Sequence, residues 1–174
     1  MEDRVDTTIQ FSGLKSGVYN YDYTLDDSFF SSYKNEKILG GRVVFEVKME
    51  KNDRLMMFFF KYTGTVKTTC DRCLEDLQWP VQGEQTLCVK LSDDESSDDE
   101  NVAILPESAY KIDLAQWMYE YVAVAMPIQC LHPDDADGRP TCNPEMMEYL
   151  IAAGDEQDGE HESDPRWEAL KQLR

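Results

Sequence analysis

The sequence lacks the features of a membrane, secreted or nucleotide-binding protein. Its apolar runs are short, such as residues 55–60, whereas a membrane-spanning helix needs about 18 apolar residues. Its first residues have neither the basic start nor the apolar stretch of a secretory signal. None of its nine glycines belongs to a phosphate-binding motif of the type G-x-x-x-x-G-K or G-x-G-x-x-G. We therefore expect a cytoplasmic protein that does not bind membranes.

Basic residues are scarce in the second half of the chain. Residues 91–174 contain five of the 17 Lys and Arg but 21 of the 35 Asp and Glu, so this half carries −16 of the net charge of −18. Such a surface repels phosphate backbones, and autonomous nucleic-acid binding is not expected. It attracts basic proteins and speeds their encounter at low salt, although acidic runs also serve solubility alone. The charge favours a protein that works by binding a partner.

The pattern of residues 1–90 is typical of β structure. A strand with one buried face is indicated by a period-two alternation of apolar and polar residues, the apolar positions being Val43, Phe45, Val47 and Met49. Residues 54–62 are apolar at nearly every position, which predicts a central strand covered on both faces. The polar turn at 51–53 joins the two strands in a hairpin. The second strand continues past Gly64 to Cys70, where a tight turn leads to another strand that reaches Leu91.

Helices are predicted in the second half. Asp113 is a candidate N-cap with Gln116 as its capping-box partner, and Pro127 ends the helix. Its apolar face, at helical spacing, is Leu114, Trp117, Met118, Tyr121, Val122 and Ala125. Asn143-Pro144 predicts the start of a second helix. The fold class is therefore α+β: an antiparallel sheet or partly open barrel in the N-terminal half, packed with two or three helices from the C-terminal half.

We expect one α+β domain at residues 1–152, interrupted by an acidic loop at 92–101 that has no apolar residue to pack. Residues 153–163 form an acidic linker. Residues 164–174 form a short amphipathic helix whose Trp167 docks either on the protein's own surface or in a partner's groove.

Five cysteines in a reducing compartment are not a disulfide framework, and metal binding or plain burial explain them better. The most specific signal is Cys70-x2-Cys73, because two thiolates at this spacing can share one tetrahedral metal ion. Cys142 precedes a helix start, where a thiolate is favoured. The simplest site contains Cys70, Cys73, Cys142 and a fourth ligand, either His132 or Cys130, around one structural Zn²⁺. It would tie the sheet to the helical half.

An enzyme is the competing interpretation. A zinc- or thiol-dependent enzyme would use Cys70 and Cys73 with His132, and Asp134, Asp135 or Asp137 would supply a general base. A thiol oxidoreductase, however, places its Cys-x2-Cys at a helix N-terminus, whereas this motif connects two predicted strands. Cys88 is expected to be an ordinary half-buried thiol.

The order of these motifs resembles the YceD family, named for large ribosomal RNA subunit accumulation. The resemblance rests on the Cys70-Asp-Arg-Cys73-Leu turn, on 112–128, from Ile-Asp-Leu to Met-Pro-Ile, on Cys142-Asn-Pro, and on the terminal Pro-x4-Leu-x2-Leu at 165–173. It implies a bacterial or plastid protein with a non-enzymatic role in large-subunit biogenesis, through accumulation or processing of its ribosomal RNA. The family's genes commonly neighbour that of a small, basic large-subunit ribosomal protein. Together with the acidic second half, this leads us to expect a basic ribosomal protein, or the large-subunit precursor particle, as the partner.

Overall fold

The computed structural model describes residues 5–93 and 102–155, and the side chains of these residues up to 150. In chain order, its elements are β1 (Thr8–Gln10), β2 (Gly17–Leu25), α1 (Asp27–Ser31), β3 (Gly40–Lys51), β4 (Leu55–Thr69), β5 (Asp76–Leu91), β6 (Val102–Leu105), β7 (Lys111–Asp113), α2 (Ala115–Ala125) and α3 (Pro144–Asp155). Strands dominate the N-terminal half, and α2 and α3 lie in the C-terminal half, so the α+β prediction is confirmed.

The described chain divides into two compact units. The sheet unit contains residues 5–69, 76–93 and 102–130. The cysteine unit contains the β4–β5 connection at 70–75 together with residues 131–155. No helix among the described residues is long and apolar enough to cross a membrane.

The sheet unit is built on a five-stranded sheet in the order β2-β3-β4-β5-β6, which is not closed into a barrel. The strands from β2 to β5 are antiparallel neighbours, and β6 runs parallel to β5. The predicted hairpin is confirmed as β3 and β4, in which Lys51 pairs with Met56. The predicted strand to Leu91 is β5, and the prediction that β4 is central is also correct.

One face of this sheet forms the core. The alternating apolar residues of β3 are fully buried there, as are Phe58 and Phe60 of β4. Helix α2 adds Met118 and Val122, and the hydroxyl of Tyr62 donates a 3.1 Å hydrogen bond to the Tyr121 carbonyl. The predicted apolar face of α2 therefore packs as expected, with Trp117 and Tyr121 partly buried against the core.

On the opposite face of β4 the sequence prediction is wrong for the part of the chain that the structure describes, because no second layer of these residues covers it. Met57 and Phe59 are only half-buried, and Leu55 is exposed. The Lys48 ammonium lies 4.5 Å from the centre of the Phe59 ring, so a cation–π contact replaces a second packed layer. Cys88 is half-buried, as predicted.

The start of α2 is a second correction. The helix begins at Ala115 with Leu114 at the N-cap position, where no side chain caps it. Asp113 instead ends β7, which pairs with β1, and its carboxylate accepts hydrogen bonds from the Thr7 hydroxyl and the Ala115 N–H. The Asp113 carboxylate thus contacts the first turn of α2 as expected, but Asp113 lies one position before the N-cap residue. Pairing between segments about 100 residues apart holds Asp113 in a strand.

The sequence interpretation missed α1. Asp26 caps this helix by accepting hydrogen bonds from the N–H groups of Ser28 and Phe29, and the helix buries Phe29 and Phe30 against the sheet.

Further along the chain, residues 94–101 of the predicted acidic loop and the terminal helix predicted at 164–174 lie outside the described residues. Helix α3 reaches Asp155, beyond residue 152, where we expected a linker to begin. The single domain at 1–152 stays a prediction.

Candidate metal centre

The connection between β4 and β5 is a tight turn, as the sequence predicts. The N–H of Cys70 donates to the Glu75 carbonyl at 2.8 Å, and the N–H of Leu74 donates to the Cys70 carbonyl at 2.9 Å. These bonds close the turn on itself and leave Cys70 and Cys73 as buried, free thiols. The turn therefore presents two sulfurs at the spacing that a metal ion can share.

The other half of the site comes from the segment that leads into α3. Asn143 caps this helix, accepting the Glu145 N–H at 2.9 Å, and its side-chain amide donates to the Glu75 carboxylate at 2.6 Å. The Asn143 side chain thus joins the start of α3 to the cysteine turn. Cys142, the residue before the cap, is thereby held beside the turn.

The four side chains of the candidate site converge within the cysteine unit. One ligand atom from each of Cys70, Cys73, His132 and Cys142 lies within 4.8 Å of the other three. The Sγ atoms of Cys70 and Cys142 are 3.8 Å apart. His132 Nδ1 lies 3.3 Å from the sulfur of Cys73 and 3.9 Å from that of Cys142.

These separations fit a tetrahedral metal ion. Zinc–sulfur bonds of about 2.3 Å put two sulfurs about 3.8 Å apart, and a zinc-bound imidazole nitrogen lies about 3.6 Å from each sulfur. A disulfide would need the two sulfurs to lie about 2.05 Å apart, so the Cys70–Cys142 pair is not bonded. The group could hold a metal ion with three thiolates and one imidazole, a donor set typical of structural zinc.

The electrostatics of the turn favour thiolate formation at Cys70. Burial opposes the charged form, but hydrogen bonds from backbone N–H groups, first that of Cys73, outweigh it and lower the pKa of Cys70 to about 6. Burial raises the pKa of Cys142, and the neighbouring thiols raise it further. The Arg72 guanidinium lies 3.8 Å from the Cys142 sulfur, where its charge offsets that of a thiolate.

The structure separates the two candidates for the fourth ligand. His132 belongs to the cluster, whereas Cys130 does not, and the Cys130 sulfur lies 4.0 Å from the Pro127 carbonyl. No carboxylate of the described residues joins the cluster, and Asp135 instead accepts N–H groups of its own turn. The sequence interpretation did not identify Arg72 as a neighbour of the site. Its place between Cys70 and Cys73 could have indicated that its charge lies close to the thiols.

The cysteine unit has almost no core besides the candidate ligands. Among its residues with described side chains, the buried ones are Cys70, Cys73 and Cys142. The apolar core cluster of the protein lies entirely in the sheet unit. The described residues of this small unit thus form no apolar core, and a metal ion held by four side chains would supply another source of stability.

Leu74, next to the second cysteine, has a left-handed backbone with φ of 61° and is 69% exposed. A side chain in this conformation costs about 1–2 kcal/mol, partly offset in glycine by about 0.5–1 kcal/mol of chain entropy. We expect Leu74→Gly to stabilise the turn by about 0.5 kcal/mol and to tighten metal binding about twofold in a chelator competition titration. Lys34→Gly, at a second left-handed position in the sheet unit, is the matched control and should leave metal affinity unchanged. Weaker metal binding by Leu74→Gly would contradict the strain argument.

Comparison with known proteins gives one match. The model of the family described as "Large ribosomal RNA subunit accumulation protein YceD" matches residues 59–174, two thirds of the chain. The match begins in β4 and includes all four residues of the cluster. No curated protein and no solved structure matches the chain.

Proposed function

Since the chain belongs to the YceD family of large ribosomal RNA subunit accumulation proteins, we propose that it is a non-enzymatic factor that holds a basic ribosomal protein during large-subunit assembly. Membership of this family indicates the process, which is accumulation of the large-subunit ribosomal RNA. The charge distribution supports the choice of a protein client over bare RNA. A negatively charged surface binds Lys- and Arg-rich chains and repels phosphates.

The observation that carries this proposal is the acidity of the cysteine unit. Its described residues contain eight Asp and Glu against two Arg, whereas those of the sheet unit contain 14 against 11 Lys and Arg. Among the described residues, the negative charge is therefore denser in the smaller unit. A basic client would be attracted there and released when ribosomal RNA offers a stronger polyanion.

The donor set of the cluster supports a structural metal over a catalytic one. Three cysteines and one histidine complete a tetrahedral zinc shell, while a catalytic zinc keeps one position for water. When bound, zinc would supply a fixed centre that holds Cys70 and Cys73 of the turn against Cys142. The lowered pKa of Cys70 suits a metal-bound thiolate, and it also suits a reactive thiol. Alkylation of the metal-loaded protein distinguishes a metal-bound thiolate from a reactive thiol. Cysteines that bind the metal should not react with a thiol reagent, whereas a catalytic cysteine should.

The client can be tested by purifying the tagged full-length chain from lysate with and without nuclease. We expect basic large-subunit proteins to remain bound after nuclease and to be released by salt. A variant with Asp134, Asp135 and Asp137 changed to Asn should retain less of them than one with Glu46, Glu50 and Glu84 changed to Gln. Recovery of ribosomal RNA without any ribosomal protein would refute the client proposal.

A further inference from the structure

Helix α3 carries an apolar stripe that the cysteine unit does not cover. At 3.6 residues per turn, one side of the helix presents Met146, Met147, Tyr149 and Leu150. The two methionines are half-buried, but Tyr149 is 74% exposed and Leu150 is 46% exposed. An amphipathic helix normally buries this side, and burying a side chain of this size contributes about 1.5–3 kcal/mol.

Helix α3 carries no positive charge, since it contains no Lys or Arg. Its charged residues with described side chains are Glu145 and Glu148, and both are exposed. Like-signed carboxylates on one short helix attract the Lys and Arg side chains of another protein.

The position of α3 depends on the metal ligands. Cys142 lies two residues before Pro144, the first residue of the helix, and the Asn143 amide holds the cap to Glu75 of the cysteine turn. The site thus orients a short helix that lacks a core of its own. An exposed helix fixed in this way is pre-organised for a partner's groove, because less backbone entropy is lost on binding.

We infer that the apolar stripe of α3 docks into an apolar groove rimmed by Lys or Arg on the basic protein client, with Tyr149 and Leu150 as the anchors. This inference rests on the proposed function, since it names the surface that holds the client. The apolar anchors supply affinity, and Glu145 and Glu148 supply complementary charge. Aromatic and aliphatic anchors of this kind carry most of the binding energy of helix-in-groove complexes.

The test uses the full chain and total large-subunit ribosomal proteins extracted from purified ribosomes. The double variant Tyr149→Ser, Leu150→Ser is compared with Val124→Ser, which changes a 79% exposed residue of α2 in the sheet unit. We expect the double variant to weaken capture about 100-fold or more, as the loss of two buried apolar anchors implies, and Val124→Ser to match the parent chain. Unchanged metal content in both variants shows that the cysteine unit is intact.

The outcomes separate the two proposals. If the parent chain captures no ribosomal protein, the proposed function fails and the docking surface with it. If the parent and the double variant capture the same proteins equally, the docking surface alone is wrong. Hydrogen exchange at residues 145–150 provides a further check. If these residues are protected in the full chain and lose that protection in a chain that ends at residue 155, then residues 156–174 occupy the stripe and the inference is overturned.

Discussion

Replacing Cys73 by serine should reduce the bound metal from about one ion per chain to almost none. Cys73 and His132 form one edge of the cluster, at 3.3 Å, and a serine hydroxyl is a poor substitute for a thiolate ligand. Elemental analysis of the purified variant measures the effect directly. Cys88→Ser is the matched control, because it changes a half-buried thiol of the sheet unit.

The same variant should unfold the cysteine unit without unfolding the sheet. Structural zinc contributes roughly 10–16 kcal/mol of apparent binding free energy in small metal-folded units, and the buried residues of this unit are the ligands themselves. We expect hydrogen-exchange protection to be lost at 144–150 and kept in β3 and β4. Chelation of the parent chain should give the same pattern.

The variant Cys130→Ser tests independently whether His132 or Cys130 is the fourth ligand. Since Cys130 is outside the cluster, this variant should keep its metal, while His132→Ala should lose it. Full metal content in Cys73→Ser, or metal loss in Cys130→Ser together with retention in His132→Ala, would contradict the assigned site.

The second large effect is expected from Gly64→Ala in β4. Gly64 lies opposite Val43 of β3, and a Cβ added there would come within 2.6 Å of the Val43 Cα and closer still to the Arg42 carbonyl. These are backbone atoms of a strand that is paired on both sides, so no side-chain rotation relieves the contact. Forced overpacking of this kind costs about 1–3 kcal/mol, and more where the backbone cannot shift.

Thermal unfolding followed by circular dichroism measures this cost. For a chain of this size, 3 kcal/mol corresponds to a fall in melting temperature of about 6–12 °C. Gly13→Ala is the control, because a Cβ there meets nothing within 4 Å, and it should melt within a few degrees of the parent chain. Equal melting temperatures for the two variants would show that β3 and β4 are not so closely paired at Gly64.

The strands of the sheet were predictable because period-two patterns are local. The alternation of Val43, Phe45 and Val47 identifies the buried face of β3 without knowledge of any distant residue. The uncovered face of β4 was not predictable in this way. An aromatic residue such as Phe59 is typical of a buried position. Only the pairing with the neighbouring strand shows that the Lys48 ammonium lies above its ring.

Long-range pairing explains the other differences. Thr7 fixes Asp113 in β7, and α1 has five residues, too few for a helical period to be visible. The ligand residues were predictable by type, since Cys-x2-Cys has a known use. The choice between Cys130 and His132 was not, because they are two residues apart and only the folded chain shows which one meets the cysteine turn.

The separation of the ligands along the chain has a consequence for biosynthesis. Cys73 leaves the ribosome 59 residues before His132, the next residue of the cluster, which corresponds to roughly 3–12 s at ordinary elongation rates of 5–20 residues per second. During that interval β5 can complete its hairpin with β4, while the first two thiols have no third ligand from the chain. The nascent protein therefore presents a reactive pair of thiols that oxidants or competing metals can reach. With the metal site that we propose, maturation of the cysteine unit should be the step most sensitive to metal supply and oxidative stress.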